Sequence, residues 1–173
     1  HVVMACHSDQ ALRILGQAAT PAQHSLLSAV RYQANRAVLH TDAALLPRNR
    51  KLWSAWNYFA TGGDLDDRPV GVSYLINRLQ PLPWQTPVVV SVNPLRPLRD
   101  EAVLGQWTYS HPVFDRAAVQ AQDRLTSIQG RSHVWFCGAW TRYGFHEDGL
   151  MSGLAVLDRL RTLPEPDTLQ EAA

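Results

Sequence analysis

The sequence predicts an α+β fold: a mostly antiparallel sheet with helices, plus two buried strands that belong to a different sheet. Three observations lead to this prediction. The 173 residues are 46% hydrophobic and 18% charged, a balance that supports a packed core and excludes disorder over most of the chain. Segments with strand-like alternation and segments with helical spacing follow one another along the chain. Two short apolar runs, at residues 2–6 and 134–137, show no alternation, which is typical of strands buried on both faces.

The first part of the chain predicts a strand, two helices and a second strand. Residues 2–6 form the first buried strand. Asp9 is the predicted N-cap of a short helix that ends at Gly16. A second helix is predicted over residues 20–30, because a proline follows its first residue and proline is favoured at the first helical position. Residues 32–39 then alternate between apolar and polar side chains, as expected for a strand.

The middle of the chain predicts three strands separated by turns. Residues 52–59 are rich in aromatic side chains, which favour strands. Residues 61–67 form a polar turn, and residues 70–75 resume a strand that a helical turn at residues 77–79 closes. The last strand of this part is predicted at residues 87–92, because an Asn-Pro pair follows it directly.

The C-terminal part predicts a helix, a strand and a final helix. Asp115 caps the first of these helices, and Gly130 stops it. Residues 134–137 form the second buried strand. The last helix begins near Asp148 and ends at a proline, after which residues 164–173 form a polar, frayed tail.

Composition narrows the classes of function. The net charge of +1 is too small to indicate a nucleic-acid partner. Two cysteines without CxxC spacing favour a reducing compartment, so we expect a cytoplasmic protein. No apolar run reaches the roughly 20 residues of a membrane span. Because His1 leads at once into a strand with few candidate strands to flank it, we expect a fragment of a larger protein. We also expect this fragment to self-associate through unpaired strand edges and exposed apolar surface.

Residues 134–153 carry the densest set of functional signals. A buried strand ends at Gly138, where the missing side chain lets another group approach the backbone. A helix then begins near Asp148, and the unpaired amides of a helix start attract negative charge. The alternative is an ordinary strand–loop–helix in which Glu147 and Asp148 only cap the helix. The residues alone leave both interpretations open, and they predict no metal site.

A resemblance to a known family adds to this interpretation. The run Phe136-Cys137-Gly138, the segment 144–149 and Gly153 resemble the C-terminal flavin-binding motif of the FAD-dependent amine oxidase superfamily. Further motifs resemble bacterial predicted NAD/FAD-binding proteins of this superfamily, which are similar to the oxidase-like N-terminal region of plant cyclopropane fatty acid synthases. These motifs lie at residues 7–12, 38–42, 56–58, 77–80, 92–94, 109–114, 129–130 and 144–149.

The resemblance implies an FAD-dependent oxidoreductase whose Rossmann-like FAD/NAD(P)-binding domain is split between the two ends of the chain. Residues 1–19 would close the FAD domain, residues 20–125 would form the substrate domain, and residues 126–163 would supply the C-terminal FAD-binding strand–loop–helix. The sequence contains no Gly-x-Gly-x-x-Gly loop for the pyrophosphate. The missing N-terminal FAD-binding half is therefore an expected partner, together with a small-molecule substrate that is apolar or fatty-acyl.

The resemblance also implies individual site residues. The cofactor-binding residues are Gly138, Ala139, Gly144, Phe145, His146, Glu147, Asp148, Gly149 and Leu150. Phe145 would stand beside the flavin. Trp56 and Asn57 are assigned to the catalytic site because an amide among aromatic side chains is unusual in a plain core. Packing of the sheet face is the alternative for these aromatic residues.

Amine oxidation itself is not implied. Lys51, the only lysine, lies in a polar run, and Ala139 and Trp140 replace the usual acidic or hydroxyl residue after the glycine. Two alternatives to an oxidoreductase are a binding module that keeps the oxidase fold without redox chemistry and a small α+β domain without a cofactor.

Overall fold

The computed structural model describes residues 1–60 and 69–163, and the chain divides into two compact units. Unit 1 contains residues 1–33 together with 112–173, and unit 2 contains residues 34–111. These borders differ from the expected ones at residues 20 and 125, because the second and fourth helices contribute buried side chains to the core of unit 1. The predicted polar turn at 61–67 and the tail at 164–173 lie outside the described residues.

Unit 1 is built from helices and two short strands. Its elements are β1 (Val2–Met4), α1 (Ser8–Leu15), α2 (Pro21–Ala29), α4 (Arg116–Arg124), β7 (Val134–Phe136) and α5 (His146–Arg161). The core joins β1 and β7 to the first, second and fourth helices through buried apolar side chains, among them Met4, Leu27, Ala118 and Phe136. A second cluster, which includes Trp135 and Val156, packs α5 against β7.

Side-chain caps begin two helices of unit 1, and the predicted cap Asp115 is confirmed. The Thr20 side chain accepts a hydrogen bond from the Gln23 amide (3.2 Å), and the Gln23 side chain accepts one from the Thr20 amide (2.9 Å). Asp115 accepts from the Ala118 amide (2.9 Å). The prediction for α1 was wrong, because His7 is the N-cap. Asp9 instead lies in the first turn and forms an ion pair with Arg13.

Strands β1 and β7 form a two-stranded parallel sheet of their own, with Val2 opposite Val134 and Met4 opposite Phe136. The prediction that these two runs belong to a separate sheet is confirmed. The prediction that both are buried on two faces is wrong for β1, because Val2 and Val3 are 51% and 44% exposed. No other strand of the described residues pairs with β1 to cover them.

Unit 2 is centred on a five-stranded antiparallel sheet in the order β3-β4-β5-β2-β6. Its elements are β2 (Arg31–His40), β3 (Trp56–Ala60), β4 (Val70–Leu75), α3 (Ile76–Leu79), β5 (Val89–Val92) and β6 (Val103–Val113). Strands β2 and β6 carry the chain across the border between the units. The register places Asn57 opposite Ser73 and Ser73 opposite Ser91.

Two predictions for unit 2 need correction. The strand expected over residues 52–59 begins only at Trp56, because the Asn49 side chain caps a 3₁₀ helix at Arg50–Leu52. Strand β6 was not predicted at all. It is an edge strand that contains Gly105 and Pro112, and both residues weaken a strand pattern in the sequence. The predicted strand at 70–75 and the helical turn at 77–79 are confirmed.

None of the helices within the described residues is both long enough and apolar enough to cross a membrane.

Candidate functional site

The candidate site of unit 1 begins where β7 ends at Gly138. The Cys137 amide extends the β1–β7 pairing by donating to the Met4 carbonyl (3.1 Å). Gly138 has φ 143°, and a side chain there would meet the Trp140 ring at 3.0 Å. Because β1 and β7 are parallel, their carboxyl ends meet at one edge of the sheet. The N-termini of α1 and α5 both follow from this edge.

The loop after Gly138 is held by hydrogen bonds from distant parts of the chain. Its 3₁₀ helix, Ala139–Thr141, is fixed to β1 by the Trp140 indole, which donates to the Cys6 carbonyl (2.9 Å). The Gln122 side chain of α4 donates to the carbonyls of Trp140 (2.8 Å) and Arg142 (2.7 Å). Helix α4 and the segment after β1 therefore position this loop, although its own sequence is short and irregular.

Helix α5 begins at His146, two residues before the predicted start near Asp148. The Asp148 carboxylate explains this difference: it accepts from the amides of Phe145 (3.0 Å) and Tyr143 (3.2 Å) and so closes the first turn. The Gly149 amide donates to the Phe145 carbonyl (3.2 Å) and is part of the helix. The amides without an intrahelical acceptor are therefore those of His146, Glu147 and Asp148.

This earlier start changes the role expected for Gly149 and Leu150. Their amides lie inside the helical hydrogen-bond pattern and cannot donate to a ligand without breaking it. Gly149 contributes differently, because a side chain there would find only ordinary contacts, the nearest being the Ala139 amide nitrogen at 3.6 Å. The Gly149 backbone therefore lies close to Ala139, but the packing does not require a glycine at this position.

Ser152 links the strand to the helix, a role that the sequence did not reveal. Its hydroxyl accepts from the Gly138 amide (2.8 Å) and donates to the Gly149 carbonyl (2.8 Å). A hydroxyl one turn into a helix that follows a strand-ending glycine is the signal that could have indicated this bridge.

Apolar side chains at the start of α5 are exposed rather than packed. Phe145 is 62% exposed, and Gly144, with φ 91°, turns the chain ahead of it. Leu150, Leu154 and Leu157 of α5 are also exposed, whereas Val156 enters the core. The predicted site residues thus lie in one loop and one helix start, where residues 144–147 are exposed and Asp148 is buried.

Trp56 and Asn57 belong to unit 2, where they lie on opposite faces of β3. Trp56 is 61% exposed and contacts the Tyr74 ring edge to face (5.6 Å between centroids). Asn57 is buried, and its side chain donates to the carbonyl of Ser54 (2.7 Å) and accepts from the Ser54 amide (3.2 Å). Its carboxamide therefore stabilises the turn before β3, which explains a buried amide without any ligand.

A buried polar chain crosses the sheet of unit 2 and was not predicted. His40 Nε2 lies 2.8 Å from Ser91 Oγ, which lies 2.7 Å from Ser73 Oγ. The Asp42 amide donates to His40 Nδ1 (3.1 Å), so in the neutral ring the proton is on Nε2. Burial lowers the pKa of His40, which favours this neutral ring. His40 therefore donates to Ser91 and cannot serve as its general base.

The remaining titratable candidates have structural or solvated positions. Cys137 is a buried core residue, and burial raises the pKa of its thiol. Lys51 is exposed, as predicted. Over residues 1–60 and 69–163, no three His, Cys, Asp or Glu side chains come together in a group that could hold a metal ion.

No protein-family model matches this sequence, and no curated protein is significantly similar to it. The residues and their geometry are therefore the basis of the functional proposal.

Proposed function

We propose that unit 1 supplies part of the flavin site of an FAD-dependent oxidoreductase. The observation that carries this proposal is the shared edge of β1 and β7, from which Gly138 leads through a short loop to the start of α5. In open α/β sheets, ligands bind beyond the carboxyl ends of parallel strands, and helix starts attract their negative charge. The resemblance of residues 136–138 and 144–149 to a flavin-binding motif supports the same assignment.

The residues at this edge fit a flavin in two respects. Gly138 packs against the Trp140 ring and Gly149 against Ala139, so the loop lies next to the start of α5. The free amides of His146, Glu147 and Asp148 form the positive end of a 16-residue helix. FAD would supply two-electron transfer, and these amides would stabilise the negative charge of its reduced form.

The exposed apolar surface of unit 1 supports a partner that completes the site. Val2 and Val3 are exposed along β1, and Leu150, Leu154 and Leu157 are exposed along α5. Exposed apolar patches of this kind mark interaction surfaces. The sequence has no pyrophosphate-binding loop, so we assign this surface to the segment that would carry it, the N-terminal half of a split Rossmann-like domain.

The substrate of the proposed enzyme is a small apolar molecule. The observation in favour is the aromatic face of β3 in unit 2, where Trp56 and Tyr58 are 61% and 64% exposed. Aromatic side chains that are not packed in a core are typical of surfaces that bind apolar groups.

A binding module without redox chemistry is the second candidate. Glu147 and Asp148 place two acidic side chains in the first turn of α5. Asp148 is committed to backbone amides, but Glu147 is exposed, and its negative charge would oppose charge on a reduced flavin. The oxidoreductase proposal therefore depends on the amides outweighing this side chain.

Flavin binding by two polypeptides tests the proposal. The 173-residue chain alone is titrated with FAD, and we expect a Kd weaker than about 1 μM because the pyrophosphate contacts are missing. A polypeptide that carries both halves is then reconstituted with FAD, and its flavin absorption bands are measured. A colourless product would overturn the oxidoreductase proposal. Tight binding by the 173-residue chain alone would overturn only the requirement for a second half.

A further inference from the structure

A small cavity in unit 2 has the properties of a ligand site. Its volume is about 220 Å³, and its walls are largely apolar, with Leu46, Phe59, Val72 and Leu95 among them. Typical pockets for drug-sized ligands measure roughly 300–1,000 Å³, so this cavity suits a smaller molecule.

One wall of the cavity is fixed by a close backbone approach. A side chain on Gly71 would lie 2.7 Å from the Asn93 carbonyl oxygen and 3.3 Å from the Leu95 side chain. The bare backbone of Gly71 therefore lets the segment after β5 lie directly against β4. This contact fixes the position of the segment that contributes Pro94, Leu95 and Arg96 to the cavity lining.

The cavity carries uncompensated positive charge. Arg48 and Arg96 line it, and both side chains are exposed. Neither guanidinium has an ion pair or a hydrogen bond within the part of the chain that the structure describes. The described lining residues include no Asp or Glu. A guanidinium matches a carboxylate in geometry as well as in charge.

Ser73 adds a hydroxyl donor to the lining. His40 donates to Ser91 Oγ, and one hydroxyl proton lies between Ser91 Oγ and Ser73 Oγ, which are 2.7 Å apart. The other hydroxyl proton of this pair has no acceptor among the described residues, and it is the Ser73 proton when Ser91 donates to Ser73. Ser73 lines the cavity, on the same face of β4 as Gly71. A buried hydroxyl proton without an acceptor favours a ligand that brings an oxygen atom.

We propose that this cavity binds a small oxo-acid: a carboxylate on a short apolar chain with a carbonyl oxygen further along it. Arg48 and Arg96 bind the carboxylate, the apolar walls cover the chain, and Ser73 donates to the carbonyl oxygen. This assignment rests on unit 2 alone and does not depend on the flavin proposal.

The test uses hexanoate, its 3-, 4- and 5-oxo derivatives and hexanamide as probes, with binding to the 173-residue chain followed by NMR titration. We expect hexanoate to bind with a Kd of about 1 mM, as is usual for ligands of this size. Hexanamide should bind at least tenfold more weakly. One oxo isomer should bind about 2–10-fold more tightly than hexanoate, the range of one neutral hydrogen bond.

Variants separate the contributions. Arg48→Gln and Arg96→Gln should each weaken hexanoate binding about 3–10-fold, between the values for exposed ion pairs and for charged hydrogen bonds. Arg78→Gln is the matched control, because Arg78 is exposed in unit 2 but does not line the cavity. Ser73→Ala should abolish the preference for the oxo isomer while hexanoate still binds.

Several outcomes would overturn the proposal. A carboxylate site would be contradicted if no acid bound saturably, or if hexanamide bound as tightly as hexanoate. Equal weakening by Arg78→Gln would show a general charge effect. Inorganic phosphate that binds as tightly as hexanoate would show that the apolar walls contribute nothing. If Ser73→Ala still preferred one oxo isomer, the Ser73 hydroxyl could not be the donor to the carbonyl oxygen. If Ser73→Ala does not fold, the arginine variants still test the carboxylate site, because they alter exposed side chains.

Discussion

The cap of α5 gives the most direct test of the candidate site, through the substitution Asp148→Ala. Asp148 is 7% exposed, and its carboxylate accepts from the amides of Phe145 (3.0 Å) and Tyr143 (3.2 Å). Arg142 lies at 3.9 Å and is half exposed, so its ion pair contributes little. The substitution removes the acceptor of two backbone donors at the point where the loop becomes a helix.

The expected loss is about 2 kcal/mol. Hydrogen bonds to a charged group contribute about 1.5–3 kcal/mol each, whereas loss of a helix cap costs about 0.5–2 kcal/mol. Phe145 and Tyr143 are exposed, so their amides gain water when the carboxylate is removed, and the lower value applies. For a chain of this length, about 2 kcal/mol corresponds to a decrease in Tm of about 4–8 °C. Both amides donate to Asp148 Oδ2, so Asp148→Asn keeps an acceptor for them but removes the charge, and it should lose about half as much.

Urea unfolding monitored by far-UV circular dichroism measures this loss, and amide exchange of α5 shows whether it is local. Glu147→Ala is the matched control, because Glu147 is a neighbouring exposed acid in the same first turn. We expect Glu147→Ala to change the free energy of unfolding by less than about 0.5 kcal/mol. If both variants lost the same free energy, the effect would come from charge near the helix start, and the capping argument would be refuted.

Three further predictions follow from the same structure. Gly71→Ala should lower the free energy of unfolding by about 1–3 kcal/mol, since the new methyl group would collide with the Asn93 carbonyl; wild-type stability in urea would contradict the close approach. Burial lowers the pKa of His40, so protons bind the unfolded chain more tightly and stability should fall as the pH decreases below about 6.5. His40→Gln should flatten this dependence, and an unchanged pH profile would exclude His40 as its source. In a flavin-loaded polypeptide with both halves, Gly149→Pro should remove the hydrogen bond to Phe145, and flavin content and reduction potential should decrease; unchanged values for both would show that α5 does not serve the flavin.

The elements that the sequence predicted well are those with local signals. Asp115 was found because a capping side chain acts on an amide three residues away, and the start of α2 was found because proline is favoured at the first helical position, as in the structure. The position of β4 was found because its alternation matches burial on one face of the sheet. Strand β6 was missed because Gly105 and Pro112 interrupt its pattern, and both residues are tolerated in an edge strand, which has only one hydrogen-bonded neighbour.

The candidate site could be located but not constructed from the sequence. The glycines and the acidic pair indicated a strand end and a helix start, and both lie there. The contacts that fix the loop come from residues far along the chain. The Trp140 indole donates a hydrogen bond to the Cys6 carbonyl, and the Gln122 side chain of α4 donates one to the Trp140 carbonyl. No local pattern encodes such contacts, because they depend on how β1, α4 and β7 pack.

Asn57 shows why residue type alone overstates a functional role. A buried carboxamide among aromatic side chains suggested a ligand, since an unpaired amide is costly to bury. In the structure, the Asn57 carboxamide forms hydrogen bonds with the Ser54 backbone, and these bonds offset the free-energy cost of burying it. The same accounting applied to Ser73 gives the opposite result, because its partners in the buried chain leave one hydroxyl proton without an acceptor among the described residues. A polar group that its own fold satisfies indicates structure, and one that its fold leaves unsatisfied beside a cavity indicates a ligand.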